Sequence, residues 1–163
     1  MLTVVHINGP INSGKSTFGL ALSKLLPDAL FIDGDDHDAP DGAALDVRIE
    51  AALRRIETHI ASAAGGYLVV AYPLEWESYE RLKAAAKRRG GRFLVLTLAP
   101  SLEVALSDRG MRALSSAERT RIVEMYEEGY HSRAFSDLTL DTYQLSIGEA
   151  AEKACAMILA ETV

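Results

Sequence analysis

The stretch Leu2-Thr3-Val4-Val5-His6-Ile7-Asn8-Gly9-Pro10-Ile11-Asn12-Ser13-Gly14-Lys15-Ser16-Thr17 decides how this chain is read. Its first half is a short, β-branched apolar run of the kind that forms a strand buried on both faces. Its second half fits G-x-x-x-x-G-K-[ST] at every required position, from Gly9 to Ser16. At average residue frequencies a chance match is on the order of 10⁻⁵ per position, or roughly half a percent over this length. A plain glycine-rich turn would explain the bend but not Lys15 and Ser16. The physical reading is specific. Glycines let backbone N–H groups curl around a polyphosphate, and the helix that follows points its positive end at the anion. Lys15 is placed to reach terminal phosphates and Ser16 to ligate Mg²⁺. The expected phosphate-binding set is Gly9, Asn12, Ser13, Gly14, Lys15, Ser16 and Thr17.

Working outward, the apolar period alternates. Phe18, Ala21, Leu22, Leu25 and Leu26 recur at helical spacing until Pro27. Strands are predicted at 29–32, 67–71, 93–98 and 137–141, in addition to 2–7. Helices are predicted from Leu45 to Gly65-Gly66, from Trp76 to Arg89, from Leu102 to about Arg109, and from Ser116 to about His131. A last helix follows Ser146, where Ser146 and Glu149 have the form of a capping box. Five strands alternating with helices imply an α/β three-layer sandwich, with a five-stranded parallel sheet covered on both faces.

The second strand runs straight into Asp33-Gly34-Asp35-Asp36-His37-Asp38. Ligands of such sheets bind beyond the carboxyl ends of the strands, so these acids belong at the same rim as the phosphate loop. In extended backbone Asp33 and Asp35 would project to one side. One can orient a metal or its waters while the other takes a proton from an acceptor hydroxyl. His37 is a further substrate-side candidate. Arg48, on the next helix, is placed to hold an anionic substrate, whereas Arg54 and Arg55 read as a solvated face. Arg109-Gly110-Met111-Arg112 sets two planar guanidinium groups around a flexible glycine, suited to stacking on a purine or forking onto phosphate. Such a segment can close as a lid at about 110–118. Arg119, Arg121 and Arg133 could share that work, and Arg133 lies in a turn before the last strand. Tyr72 and Trp76 follow the third strand near the expected acceptor. Cys155 reads as a packed apolar residue.

Composition narrows the function. The chain has 163 residues, 48% hydrophobic and 25% charged, which favours one globular domain over 1–163. Its net charge of −6 argues against a nucleic-acid or anionic-membrane partner, since both reward surplus basic side chains. A single cysteine rules out an internal disulfide and suits a cytoplasmic protein. Neither a DxxG-like switch nor an N-K-x-D motif is present, which argues against a GTPase.

Together these signals resemble the small P-loop kinases that phosphorylate metabolites: shikimate kinase, gluconate kinase, adenylylsulfate kinase and chloramphenicol phosphotransferase. Gly9–Thr17 looks like their Walker A loop. Ile32-Asp33-Gly34-Asp35 is similar to the "DGD" of gluconate and adenylylsulfate kinases, and Ser136–Thr142 with Leu145-Ser146 and Glu149 to their tail beside adenine. The resemblance implies a nucleoside-monophosphate-kinase-like P-loop NTPase fold, using ATP and Mg²⁺ to phosphorylate a hydroxyl of a small molecule. It implies that Asp33 helps Ser16 place the metal, that Asp35 faces the acceptor, and that Arg109 stacks on adenine while Arg112 closes from the lid. Lys15, Asp35 and Arg112 are the expected catalytic residues, the acceptor is expected to meet Asp33, Asp35, His37, Arg48 and Arg133, and the protein is expected to be a monomer or weak homodimer. The chain departs from shikimate kinase, which carries three glycines after its third strand where Ala71-Tyr72-Pro73-Leu74 stands here. A nucleotide or nucleoside kinase, and a nucleotide-binding regulator without acceptor chemistry, are the alternatives.

Overall fold

The computed structural model describes residues 1–108, 113–142 and 144–161. In chain order its elements are β1 (Leu2–Asn8), α1 (Lys15–Leu25), β2 (Ala29–Asp33), α2 (Leu45–Ser62), β3 (Gly66–Ala71) and α3 (Trp76–Arg88), then β4 (Arg92–Leu98), α4 (Leu102–Ala105), α5 (Ser116–Glu127), β5 (Leu138–Leu140) and α6 (Ile147–Ala160). The five strands form one sheet in the order β2-β3-β1-β4-β5, and every pairing is parallel. This is the expected three-layer α/β architecture.

β1 lies at the centre, and all seven of its residues are buried. Side chains alternate across a strand, so Val5 and Ile7 face one layer and Leu2 and Val4 the other. Val5 and Ile7 pack with Phe18 and Leu22 of α1 and with Ala150, Ala154 and Ile158 of α6. Leu2 and Val4 pack with Leu53, Ile56 and Ile60 of α2 and with Leu82 and Ala86 of α3. Among the described residues no helix is long and apolar enough to cross a membrane.

The element ends show where local signals were outweighed. The helix expected to reach His131 stops at Glu127, because the Gly129 N–H donates to Tyr126 O (3.1 Å) and the Tyr130 N–H to Met125 O (3.0 Å). That pair of bonds, with Gly129 at a φ of 79°, is a Schellman ending, and it turns Tyr130 back toward the sheet. The helix expected to run to Arg109 is described only as Leu102–Ala105, with the Asn12 amide donating to the carbonyls of Ala105 and Ser107. The two-way capping box lies at Ser115 and Glu118, while at Ser146 the hydroxyl accepts from the Glu149 N–H.

β1 also buries an ionisable group. The His6 Nε2 lies 2.8 Å from Tyr72 O, and since a carbonyl only accepts, the ring proton sits on Nε2. Nδ1 is closed to solvent with no partner among the described residues. Burial, with a smaller contribution from the Lys15 charge, pushes the His6 pKa down to about 4 from 6.5, against the upward pull of the Tyr72 bond. The unfolded chain therefore binds the extra proton first, and stability present above about pH 6.5 is lost as pH falls toward 4. The loss is expected to be on the order of 3 kcal/mol across that window. Urea unfolding at several pH values checks it: a His6→Gln variant should show a shallower acid decline than the wild type.

Candidate active site

The carboxyl ends of β1, β2 and β3 open into a cleft of about 750 Å³. Its floor is the loop Gly9–Gly14. Gly9 sits where a Cβ would meet the Ser13 Oγ at 2.5 Å and Leu98 O at 2.8 Å, so only hydrogen fits. Gly14, with φ 92°, is the N-cap of α1 and offers no side chain to cap it, leaving the first amides of α1 aimed at the cleft. Within the loop the Ser13 N–H donates to Pro10 O (3.2 Å). The Ser13 Oγ is shut from solvent with no partner among the described residues. Lys15 opens α1, and its Nζ donates to Pro10 O at 2.8 Å. Burial of the ammonium drives its pKa down to about 8, while Asp35 and then Asp33 pull it upward.

Both carboxylates come from the segment where β2 ends. Asp33 is the last residue of β2. Asp35 lies in a turn closed by the Asp36 N–H donating to Asp33 O (3.2 Å), not on extended backbone as expected. The two side chains share the cleft because the turn folds Asp35 back: its N–H donates to Asp33 Oδ1 at 3.0 Å. The other Asp33 oxygen accepts from the Ser16 hydroxyl at 2.5 Å, a bond that ties β2 to α1. The Asp35 carboxyl is raised above its ordinary value, first by burial and then by Asp33, with Lys15 and His37 opposing.

The other candidates divide. Thr17 and His37 line the cleft, and His37 Nδ1 accepts from the Ala39 N–H at 3.2 Å. Arg48 lines it from the first turn of α2. Arg133 does not reach the lining. Its guanidinium donates to Leu74 O (3.1 Å) and Glu128 O (2.9 Å) and lies 4.2 Å over the Tyr130 ring. It holds a wall rather than facing the space. Arg121 lines the cleft but is engaged by Glu124 and Glu128. Arg109 and Arg112 lie outside the described residues. Trp76 is exposed and packs on Tyr79 and Phe135. Cys155 is buried, as expected.

Sequence reading missed Asn8 and Tyr130. Buried Asn8 donates to Thr97 Oγ1 and Tyr130 O, both at 3.1 Å, and its Oδ1 accepts from the Leu74 N–H at 2.7 Å. One amide thus joins β1, β4 and both loops that wall the cleft. The available signal was an Asn ending an otherwise apolar strand, since a buried amide must find partners. Tyr130 carried no signal, because the Schellman ending that turns it inward depends on tertiary packing. Tyr72 and Tyr130 are both buried, and burial pushes both phenols above their ordinary pKa.

No protein-family model matches the chain, and no curated protein matches it. Solved structures do. A gluconokinase from Sinorhizobium meliloti 1021 is similar with TM-score 0.71 and 19% identity, covering 98% of this chain and 97% of its own. The tunicamycin resistance protein of Deinococcus radiodurans is similar with TM-score 0.64 and 21% identity, over 97% and 96% of the two chains. The Mycobacterium tuberculosis APS kinase CysC, in complex with AMPPNP and APS, is similar with TM-score 0.64 and 20% identity, over 96% of each. At these identities what is shared is the fold, that of the P-loop kinases.

The turn between the two aspartates depends on Gly34, whose N–H donates to Ala71 O at 2.9 Å. A Cβ there would stand 2.5 Å from Tyr72 Cδ2 and 2.7 Å from its Cγ. Gly34→Ala is therefore expected to destabilise by about 1–3 kcal/mol, because the ring or the turn must move. Chemical denaturation measures it, and an unchanged midpoint would show that the turn yields freely.

Proposed function

We propose that this chain is an ATP-dependent phosphotransferase that moves the γ-phosphoryl group of ATP to a hydroxyl of a small molecule, a shikimate-kinase-like reaction on an acceptor of its own. One observation supports the reading: Lys15 and the start of α1 line the same cleft as Asp33 and Asp35. The first amides of α1 have no side-chain cap, and Lys15, whose Nζ meets the Pro10 carbonyl, lines the cleft beside them. Opposite them stands Asp35, with its carboxyl already shifted toward holding a proton.

The donor set also fits Mg²⁺. The Ser16 hydroxyl and the Asp33 carboxylate are hard oxygens in direct contact, and no group of three or more His, Cys, Asp or Glu side chains suited to a metal occurs among the described residues. That matches an ion held by few protein oxygens together with phosphate. When bound, it would neutralise charge on the bridging and terminal phosphate oxygens. The chain's own residues do the rest. Loop amides and Lys15 orient the triphosphate, and Asp35 accepts a hydrogen bond from the acceptor hydroxyl. As the new oxygen–phosphorus bond forms and the bond to the β-phosphate oxygen breaks, Asp35 takes the hydroxyl proton and ADP leaves. In this reading Arg112 closes over the phosphates and Arg109 stacks on adenine, with 110–118 as the lid of a single domain.

Lys15→Ala is expected to lose both ATP binding and turnover. Asp35→Asn should keep ATP binding while losing roughly 10²-fold or more in acceptor-stimulated ADP release. Calorimetry for binding, with ADP release across a panel of hydroxylated metabolites, checks both. Full turnover in Asp35→Asn would overturn its assignment, and tight ATP binding with no stimulating acceptor would favour a regulator.

Protonation supplies a separate readout. Free Lys15 titrates near 8, and a polyphosphate beside it favours the charged form, so its pKa rises on binding. Above pH 8, binding of inorganic triphosphate should therefore take up a proton and weaken as pH climbs. Calorimetry in buffers of different ionisation enthalpy should find uptake approaching one proton, and markedly less in Lys15→Arg, whose guanidinium is always charged.

A further inference from the structure

Three hydroxyls that line the cleft have nothing in the chain to bond. Tyr72 follows β3, Ser78 lies in the first turn of α3, and Tyr130 follows the ending of α5. Each is more than nine-tenths buried, with 8, 5 and 7% of its surface exposed, and each lines the cleft. None makes a side-chain hydrogen bond with any described residue. Elsewhere the fold satisfies its phenols: Tyr126 donates to Pro100 O, and Tyr79 accepts from Lys83 Nζ at 2.9 Å. Buried hydroxyls are normally paired, so three left open on one surface are placed for something that enters.

A carboxylate beside them says what enters. Glu75, the N-cap of α3, lines the same cleft, and its side chain has no hydrogen bond or ion pair with any described residue. Burial is the first cause that raises both phenols, and among the charges around them a carboxylate leads each time: Asp35 at Tyr72 and Glu75 at Tyr130. Glu75 also bears on Tyr72. Arg48 opposes at Tyr72, and Arg133 and Arg121 oppose at Tyr130. Arg133, however, is engaged by two carbonyls, and Arg121 by Glu124 and Glu128. A surrounding that disfavours a phenolate disfavours any other anion there and favours a cation, most of all at the Glu75–Tyr130 end. An ammonium brings three donors and no acceptor, and one carboxylate with two phenol oxygens can accept all three.

We infer that the phosphoryl acceptor is an amino alcohol, whose ammonium is received by Glu75, Tyr72 and Tyr130 while its hydroxyl faces Asp35. This rests on the phosphotransfer reading and adds the substrate class to it. Tyr72 lies within the influence of both Asp35 and Glu75, so one small molecule can span the two carboxylates. The Ser78 hydroxyl is left to meet a further polar group of the same skeleton.

The test uses the full chain saturated with Mg²⁺ and AMPPNP, so that the phosphate loop is filled. Binding is titrated at neutral pH with glucamine and serinol against their uncharged counterparts sorbitol and glycerol, in wild type, Glu75→Gln and Tyr130→Phe. Glu75 is exposed, so Glu75→Gln keeps the shape and removes only the charge, and thermal unfolding confirms that each variant folds. At least one amine should bind wild type roughly tenfold or more tighter than its uncharged counterpart. Glu75→Gln should abolish that preference, and Tyr130→Phe should weaken the amine by roughly threefold to tenfold through loss of one acceptor. Equal binding of amines and uncharged probes, no binding of either amine, or a preference unchanged in Glu75→Gln overturns the inference. If uncharged alcohols then still stimulate ADP release from ATP, phosphotransfer survives and only the acceptor class falls. If Glu75 selects amines but no alcohol of either kind stimulates release, the amine site stands and the phosphotransfer reading falls.

Discussion

Asn8 occupies the one position where the core of this protein becomes its cleft. Up to Ile7 the central strand is satisfied by apolar packing on both faces, and beyond Gly9 the chain must curl in a way that only fixed surroundings sustain. At that junction a single buried amide bonds Leu74 on one wall, Thr97 on the neighbouring strand and Tyr130 on the other wall. All three bonds are buried, so the loops after β3 and α5 are both referenced to the end of β1. The wall positions of Tyr72 and Tyr130 follow from that reference. So does the packing of Arg133, which stacks on Tyr130 and donates to Leu74 O.

Around this frame the cleft is held in electrostatic tension. Packing around Lys15 disfavours its charge and packing around Asp35 disfavours its own, while each partly relieves the other. Asp33 stays bound to the Ser16 hydroxyl and to the Asp35 N–H, fixing the geometry in which that exchange takes place. The ion pairs between α2 and α3 look different: Arg81 is forked between Glu50 and Glu57, and none of the three lines the cleft.

Much of this was legible beforehand. The loop at Gly9–Ser16, the five strands and the neighbourhood of Asp33 and Asp35 all follow from local pattern, because strand burial, helix periodicity and close backbone approach leave marks on neighbouring residues. Three features left no such mark. Asp35 reaches the cleft through a turn packed on the Tyr72 ring, not through strand alternation. Arg133 looked like a substrate ligand from its place before the last strand, yet the carbonyls of Leu74 and Glu128 and the Tyr130 ring claim it. Tyr130 was invisible because the helix ending that aims it requires Gly129 to stop a pattern that otherwise reads through to His131.

By itself the sequence determined the order of elements, the layered parallel sheet and the tight bend of the first loop, since each is encoded in side chains close together along the chain. Only the tertiary structure decided which charges are satisfied. Whether an arginine meets a carboxylate, as Arg81 meets Glu50, or a backbone carbonyl, as Arg133 meets Leu74, depends on residues far away in sequence that the fold brings within hydrogen-bonding distance.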